Sequence, residues 1–304
     1  MAFGHYWSET PPVLRIKSGD RVRVRTLHVG SPETLERAGL PPDEVEESLR
    51  EVHEQVTDRG PGGHVLTGPI FIEGAAPGDV LEVKILTVDL AIPYAYTTLS
   101  PNRGFLSGEF EEPVTRIIRL DKARQIAAFA EGIEVPLAPF FGSMGVAPPP
   151  EAGRWNSAPP WIHGGNLDNR KLVAGTTLYL PVHVPGALFQ VGDGHAAQGN
   201  GEVCITAFET SLWGELQFVL HKNKSLDWPR AETPTHIISM GTDEDLSEAA
   251  KIAVRQMIRY LVEERGLTRE DAYMLCSVAV DFNITQLVDG KVGVHGLLPK
   301  NLFQ

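Results

Sequence analysis

The chain has 304 residues, 42% hydrophobic and 22% charged, with 30 glycines and 23 prolines, which is ordinary globular usage punctuated by many turns. A formal net charge of −12 without a Lys/Arg cluster argues against nucleic acid and anionic membranes as partners. Cys204 and Cys276 are too few and too distant for a disulfide framework or a thiolate metal cluster.

The N-terminal stretch "MAFGHYWSETPPVLRIKSGD" lacks a basic region followed by an apolar core, and no run approaches a membrane span of roughly 20 apolar residues. A cytoplasmic, soluble protein with reduced thiols is expected. "VLRIKSGDRVRVRTLHV" (13–29) and "GPIFIEGAAPGDVLEVKILTVD" (68–89) each read as strand, Gly-Asp turn and strand, an arrangement echoed in "AGTTLYL" (174–180). Between them, residues 32–57 carry Leu40, Val45, Leu49 and Val52 at helical intervals and predict a surface helix. The Pro-rich segment 147–165 cannot be a helix or a central strand and is expected as an ordered loop near the site.

"TDEDLSEAAKIAVRQMIRYLVEERG" has Thr242 and Asp245 in capping-box spacing and stops at Gly266, which predicts a helix. Residues 267–281 repeat the pattern with Thr268 as cap, and Asp289-Gly290 suits a hairpin turn. The expected fold is mainly β, sandwich or barrel-like, with an α+β C-terminal portion. A β-rich domain over 1–225 would carry most of the site, and 226–304 would form the second domain.

Chemistry concentrates in "GGNLDNRKLVAGTTLYLPVHVPGALFQVGDGHAAQGNGE" (164–202). Asp193 and His195 are two apart, so an extended backbone puts both on one face, where they can offer an oxygen and an imidazole nitrogen to a divalent metal. The same residues also suit a Gly-Asp-Gly turn with a hydrogen-bonded histidine. Asp168 follows glycines that permit close approach of a ligand, and is a third ligand or orients one. His64 precedes a strand and Glu73 ends it, making them a candidate ligand and a candidate base. In "NGEVCITAFET", read as a strand, Glu202 opens the segment and shares a face with Cys204, while Glu209 lies deeper and reads as structural. Cys204 is read first as a small core residue and second as a nucleophile.

The blocks "LTGPIFIEGAAPGDVLEVKIL", "PFFGSMGVAP", the 164–203 segment and "AYMLCSVAVDFNITQLVDG" together resemble the acetamidase/formamidase family. That resemblance implies hydrolysis of short aliphatic amides to a carboxylate and ammonia, on a β-rich fold, by a homodimer or larger homo-oligomer. Carried across, the "NLD" aspartate is Asp168, the "GDGH" pair Asp193 and His195, the "IEGA" and "GNGE" glutamates Glu73 and Glu202, and the loop histidine His64. "CITAFE" and Asn200 depart from the family's more usual "GTAIE" and "QGDGE".

Amide hydrolysis needs a nucleophile, an oxyanion stabiliser and a proton for the leaving ammonia. The expectation is that Asp168, Asp193, His195 and His64 hold a divalent metal, zinc first and calcium or magnesium as alternatives, with Glu73 or Glu202 moving the proton. Asn166, Phe141 and Gly142 are expected to contact the substrate. Two alternatives stand beside this: an amidase using Cys204 with Glu202, and a non-catalytic, metal-containing β-rich binding protein.

Overall fold

A computed structural model describes residues 1–303. Its larger sheet has eight strands in the order Asp281–Gln286, Val292–Pro299, His236–Asp243, Arg230–Glu232, Thr177–Pro181, Val80–Leu90, Leu212–His221 and Arg21–Thr26, with antiparallel neighbours throughout. A six-stranded sheet runs Ala2–Phe3, Val65–Ile72, Phe189–His195, Phe140–Gly145 and Gly164–Asn166, with Leu14–Ile16 parallel to Val65–Ile72. A four-stranded sheet is made by Tyr94–Leu99, Val114–Asp121, Ile126–Ala130 and Ile133–Pro136.

The two larger sheets share one core, as expected of a sandwich. Ile70, Phe141, Met144, Phe189 and Val191 from one meet Leu81, Val83, Leu178, Leu216 and Phe218 from the other. The rings of Phe189 and Phe218 cross edge to face with centroids 5.0 Å apart. The mainly β reading therefore holds, and burying each such ring contributes about 2–3 kcal/mol. The boundary expected at 225/226 falls between Leu212–His221 and Arg230–Glu232, inside the eight-stranded sheet.

Residues 32–57 form two helices, Pro32–Arg37 and Glu47–Gln55, not one. The "GLPP" between them cannot continue a helix. Leu35, Leu40, Val45, Leu49 and Val52 are buried in a second core against Tyr94 and Tyr96, so the segment wraps the sheet instead of lying free on the surface.

Helix Leu246–Arg265 ends at Gly266 in the left-handed conformation, as the sequence predicts, but its cap is Asp245, which accepts from the amide of Glu248 at 3.0 Å. Thr242 still belongs to strand His236–Asp243. That strand takes the helix at very close range: a Cβ on Gly241 would lie 2.4 Å from the Ala249 carbonyl oxygen and 2.5 Å from the Ala253 nitrogen. Thr268 caps helix Arg269–Ala279 as expected. No helix among the described residues is long and apolar enough to cross a membrane.

The segment 201–208 is not the strand its alternation suggests. Glu202 and Ile205 have positive φ, 42° and 75°, and the Ile205 amide donates to the Glu202 carbonyl at 2.9 Å, which closes a tight turn. That turn sends Glu202 and Cys204 to different places.

Candidate metal and active site

Strand Phe189–His195 is central in the six-stranded sheet, between Val65–Ile72 and Phe140–Gly145, and it delivers Asp193 and His195 at its C-terminal end. Asp168 arrives just after Gly164–Asn166, whose pairing with Phe140–Gly145 fixes its height. Glu202 enters on the tight turn, and Glu209 is pinned by bridges to both His195 and Tyr96. Asp289, in the hairpin turn between Asp281–Gln286 and Val292–Pro299, reaches the same cavity.

His195 is the hub. Its Nε2 lies 3.2 Å from Asp193 Oδ2, 3.4 Å from Glu209 Oε2 and 4.0 Å from Glu202 Oε1. Its Nδ1 is 3.9 Å from Asp168 Oδ1. Asn166 donates to Asp168 Oδ2 at 2.7 Å and to Asp289 Oδ2 at 3.2 Å, tying the two aspartates together. Two compact groups result, Asp168 with His195 and Glu202, and Asp193 with His195 and Glu209, each with its donor atoms within 4.8 Å of one another.

These groups are almost sealed from solvent, with exposures of 1% for Asp168, 2% for Asp193, 1% for His195, 7% for Glu202 and 2% for Glu209. Burial without pairing makes a charge costly, so the protonation equilibria respond. Burial, aided by Glu202 and Asp193, pushes the Asp168 carboxyl well above its ordinary range. Burial likewise raises Glu202 far above that range, with Asp289 and Glu209 adding to it. Glu209 is pushed up to about 7, by burial and then by Asp193, despite the opposing charge of His195. Asp289 is raised to about 6 by burial and the neighbouring Asp193. Asp193 behaves oppositely: burial opposes its ionisation, but His195 and His64 hold it below the usual carboxylate range. Burial disfavours the imidazolium of His195, yet Glu209 and Asp193 raise its pKa well above normal.

The donor set fits a divalent cation. Asp168 Oδ1, Glu202 Oε2, Glu209 Oε2 and His195 Nε2 are all buried without a hydrogen-bond partner, and all but the imidazole are hard oxygen donors. A cation placed among them would satisfy these atoms and offset the repulsion among the carboxylates.

Of the residues singled out from sequence, Asp168, Asp193, His195, Glu202, Asn166 and Gly142 are brought together. Gly142 serves by having no side chain: a Cβ there would sit 2.5 Å from Asp168 Oδ1 and 2.6 Å from Asp193 Oδ2. His64 stands at the cavity wall, its Nε2 3.7 Å from Asp193 Oδ2 and its Nδ1 2.8 Å from Ser157 Oγ, and it belongs to neither compact group. Ser157 and Ala158 come from the Pro-rich loop, which does approach the site as expected.

Three expectations are corrected. Glu73 is exposed at the far end of the strand that His64 precedes, and eight residues of extended chain, roughly 25 Å, separate them. It cannot be the base. Phe141 faces the sandwich core, because adjacent strand residues point to opposite faces and Gly142 takes the site face. Cys204 is also elsewhere, its Sγ 3.6 Å from the Thr98 carbonyl and its side chain in an apolar cavity lined by Leu99, Phe129 and Phe208. The Cys204 and Glu202 amidase loses its geometric basis.

Glu209, Asp289 and Gln198 were missed as site residues. The desolvation of Glu209 inside an apolar run was the signal for it, read as structural, and the Asp289-Gly290 turn explained Asp289 locally without its reach.

The cluster floors a cavity of about 270 Å3 whose wall includes His64, Tyr96, Thr98 and Arg103. That is small, near the lower limit for ligand pockets.

Among known proteins, an acetamidase of Bacillus halodurans superposes with a TM-score of 0.84 at 30% identity, covering 99% of this chain and 96% of that one. An acetamidase of Yersinia enterocolitica gives 0.84 at 33% identity, with 99% and 89% covered. A formamidase of Methylophilus methylotrophus is 26% identical over 306 residues, 74% of this chain and 73% of the relative. An acetamidase of Mycolicibacterium smegmatis is 25% identical over 202 residues, 46% of this chain and 49% of the relative. The chain thus matches about half the length of some of the curated relatives. The pattern of the Acetamidase/Formamidase family matches residues 3–158 and 151–304. With nearly every residue inside those two matches, the chain belongs to the acetamidase/formamidase family.

Proposed function

We propose that this protein hydrolyses short aliphatic amides to a carboxylate and ammonia, with a divalent cation held by His195, Asp193, Glu209, Glu202 and Asp168. The observation that carries the reading is the buried set of unpartnered donors around His195 on the floor of a small cavity. When bound, such a cation acts as a Lewis acid that acidifies water and polarises a carbonyl. One imidazole among carboxylates is a mixed set that zinc accepts and that calcium or magnesium would use mainly through its oxygens.

The chain's own residues supply the rest. Glu202 and Glu209 both line the cavity, so a carboxylate oxygen of either that the cation leaves free is placed to take a proton from water and return it to the departing nitrogen. Asp193 stays ionised beside His195 and fixes the negative side of the site. The small volume favours formamide, acetamide or propionamide over long acyl chains. The family likeness also makes a homodimer or larger homo-oligomer the expected assembly, which light scattering would test.

Ammonia release from formamide, acetamide, propionamide and a bulkier amide, before and after chelation and after restoring zinc, calcium or magnesium, tests the reading. Turnover of short amides that falls on chelation and returns with metal is the expected result. Turnover untouched by exhaustive chelation would remove the cation from the reaction, and metal uptake without turnover would leave a binding protein.

A further inference from the structure

Gln198 is the residue through which the hub histidine is held. Three residues beyond His195, it sits on backbone pinned by two hydrogen bonds, Ala196 amide to Phe208 carbonyl at 2.8 Å and Phe208 amide to Ala197 carbonyl at 3.0 Å. It is buried, 8% exposed, and both ends of its amide are engaged. Its Nε2 lies 2.7 Å from the main-chain carbonyl oxygen of Asp168, and its Oε1 lies 2.9 Å from His195 Nδ1.

Chemistry orients this amide. A main-chain carbonyl only accepts, so the group facing Asp168 O must be the NH2 of Gln198, and the oxygen is left facing His195. An amide oxygen also only accepts, so Nδ1 must carry the hydrogen. A neutral ring protonated at Nδ1 has its lone pair on Nε2. Nε2 has no hydrogen-bond partner and faces Asp193 Oδ2 at 3.2 Å, Glu209 Oε2 at 3.4 Å and Glu202 Oε1 at 4.0 Å.

We propose that Gln198 is a positioning residue that holds His195 in the Nδ1–H tautomer, so that Nε2 presents its lone pair to a cation shared with Asp193, Glu202 and Glu209. The inference deepens the metal reading above and rests on it for its consequence. The opposing pull is explicit: an Asp193 oxygen at 3.2 Å from Nε2 would draw the hydrogen there if nothing accepted at Nδ1, since Asp168 Oδ1 at 3.9 Å is too far for a hydrogen bond. The donation from Gln198 to the Asp168 carbonyl also fixes the backbone that carries a second carboxylate of the cluster.

Gln198→Leu removes both contacts at similar volume, and Gln198→Glu keeps an acceptor for Nδ1. Two readouts separate tautomer control from mere support of the fold. Competition with a chromophoric chelator gives zinc affinity, which should fall about 10–100-fold in Gln198→Leu and recover in large part in Gln198→Glu. Long-range proton–nitrogen NMR of imidazole-labelled, metal-free protein, at a pH where the His195 ring is neutral and with His195→Gln to assign its signals, should place the hydrogen on Nδ1 in the wild type and in Gln198→Glu. It should move to Nε2 in Gln198→Leu. A wild-type ring protonated at Nε2, or a Gln198→Leu ring still protonated at Nδ1, overturns the proposal. Absence of zinc, calcium and magnesium binding by the wild type would instead sink the metal reading, while the NMR result would still decide the role of Gln198.

Discussion

Gly142→Ala is the sharpest test of how closely the strands are packed beneath the cluster. The added Cβ would lie 2.5 Å from Asp168 Oδ1, 2.6 Å from Asp193 Oδ2 and 2.8 Å from His195 Cε1. Contact distances of about 3.5 Å require the two oxygens to retreat by roughly 1 Å. Gly142 has no positive φ, so alanine adds little backbone strain and the effect falls on the site. Misplacement on this scale costs about 100-fold in rate, equivalent to about 2.7 kcal/mol of transition-state stabilisation. The matched control is Gly214→Ala, whose Cβ would meet the Phe141 ring at 2.6 Å on the core side. That change should lower stability by about 1–3 kcal/mol and leave kcat/KM of the folded protein intact. Ammonia-release kinetics at saturating metal and urea melts of both variants make the comparison. If Gly142→Ala kept kcat/KM within about threefold of wild type, the claim that this bare backbone seats the carboxylates would be wrong.

Glu202→Gln and Glu209→Gln should each reduce kcat by at least about 100-fold in the same assay, whereas the exposed Glu73→Gln should leave it within about twofold. Metal removal should lower Tm by roughly 5 °C or more, from the ~2.7 kcal/mol that a cation at 100 times its Kd supplies, and calorimetry with and without chelator reads this directly. Equal Tm values would argue against a resident cation. His163 is buried with both ring nitrogens unpartnered, and burial, with His183 beside it, depresses its pKa to about 3 from 6.5. Above pH 6.5 it is neutral folded or unfolded; as pH falls the unfolded chain takes a proton that the fold refuses, and stability is lost at up to about 1.4 kcal/mol per pH unit down to about pH 3. His163→Phe should flatten the acid side of the stability profile by that slope, and an unchanged profile would mean the ring is not held neutral. Cys204→Ala should retain activity within about twofold, since the thiol faces the apolar cavity and not the cluster; a 100-fold loss would restore the cysteine mechanism.

The legible part of the site was the part written along one strand. Asp193 and His195 are two residues apart on Phe189–His195, and an alternation of period two puts both on one face without any tertiary information. The same rule misled at 201–208, where Gly201, Glu202 and Ile205 all have positive φ and the chain turns instead of extending. Glu73 failed for length, because the strand that begins beside His64 carries its other end away from the cluster. Phe141 failed for parity, because only one of two adjacent residues can face the site. Glu209 required knowledge that a segment more than 100 residues from Tyr96 bridges to it and to His195, and Asp289 that a C-terminal hairpin closes over an N-terminal sheet. Local patterns carry neither fact.

The backbone around the cluster points the same way as its side chains. Asp168, Asp193, Glu202 and Asp289 all adopt positive φ, at 45°, 55°, 42° and 64°, a region that residues with a Cβ enter at some cost. Four of the cavity's five carboxylates are therefore delivered by strained turns or a strained strand end, and they converge on the same buried volume. Strain and like-charge repulsion both oppose this arrangement, and among the described residues Arg103 is the one Lys or Arg side chain that lines the cavity. A chain selected for stability alone would relax each aspartate or replace it by glycine at these φ values. Retaining carboxylates at four such positions makes sense when their joint occupant is a cation, because one ion offsets all the repulsions at once and each strained residue then contributes a donor that a relaxed backbone would aim elsewhere.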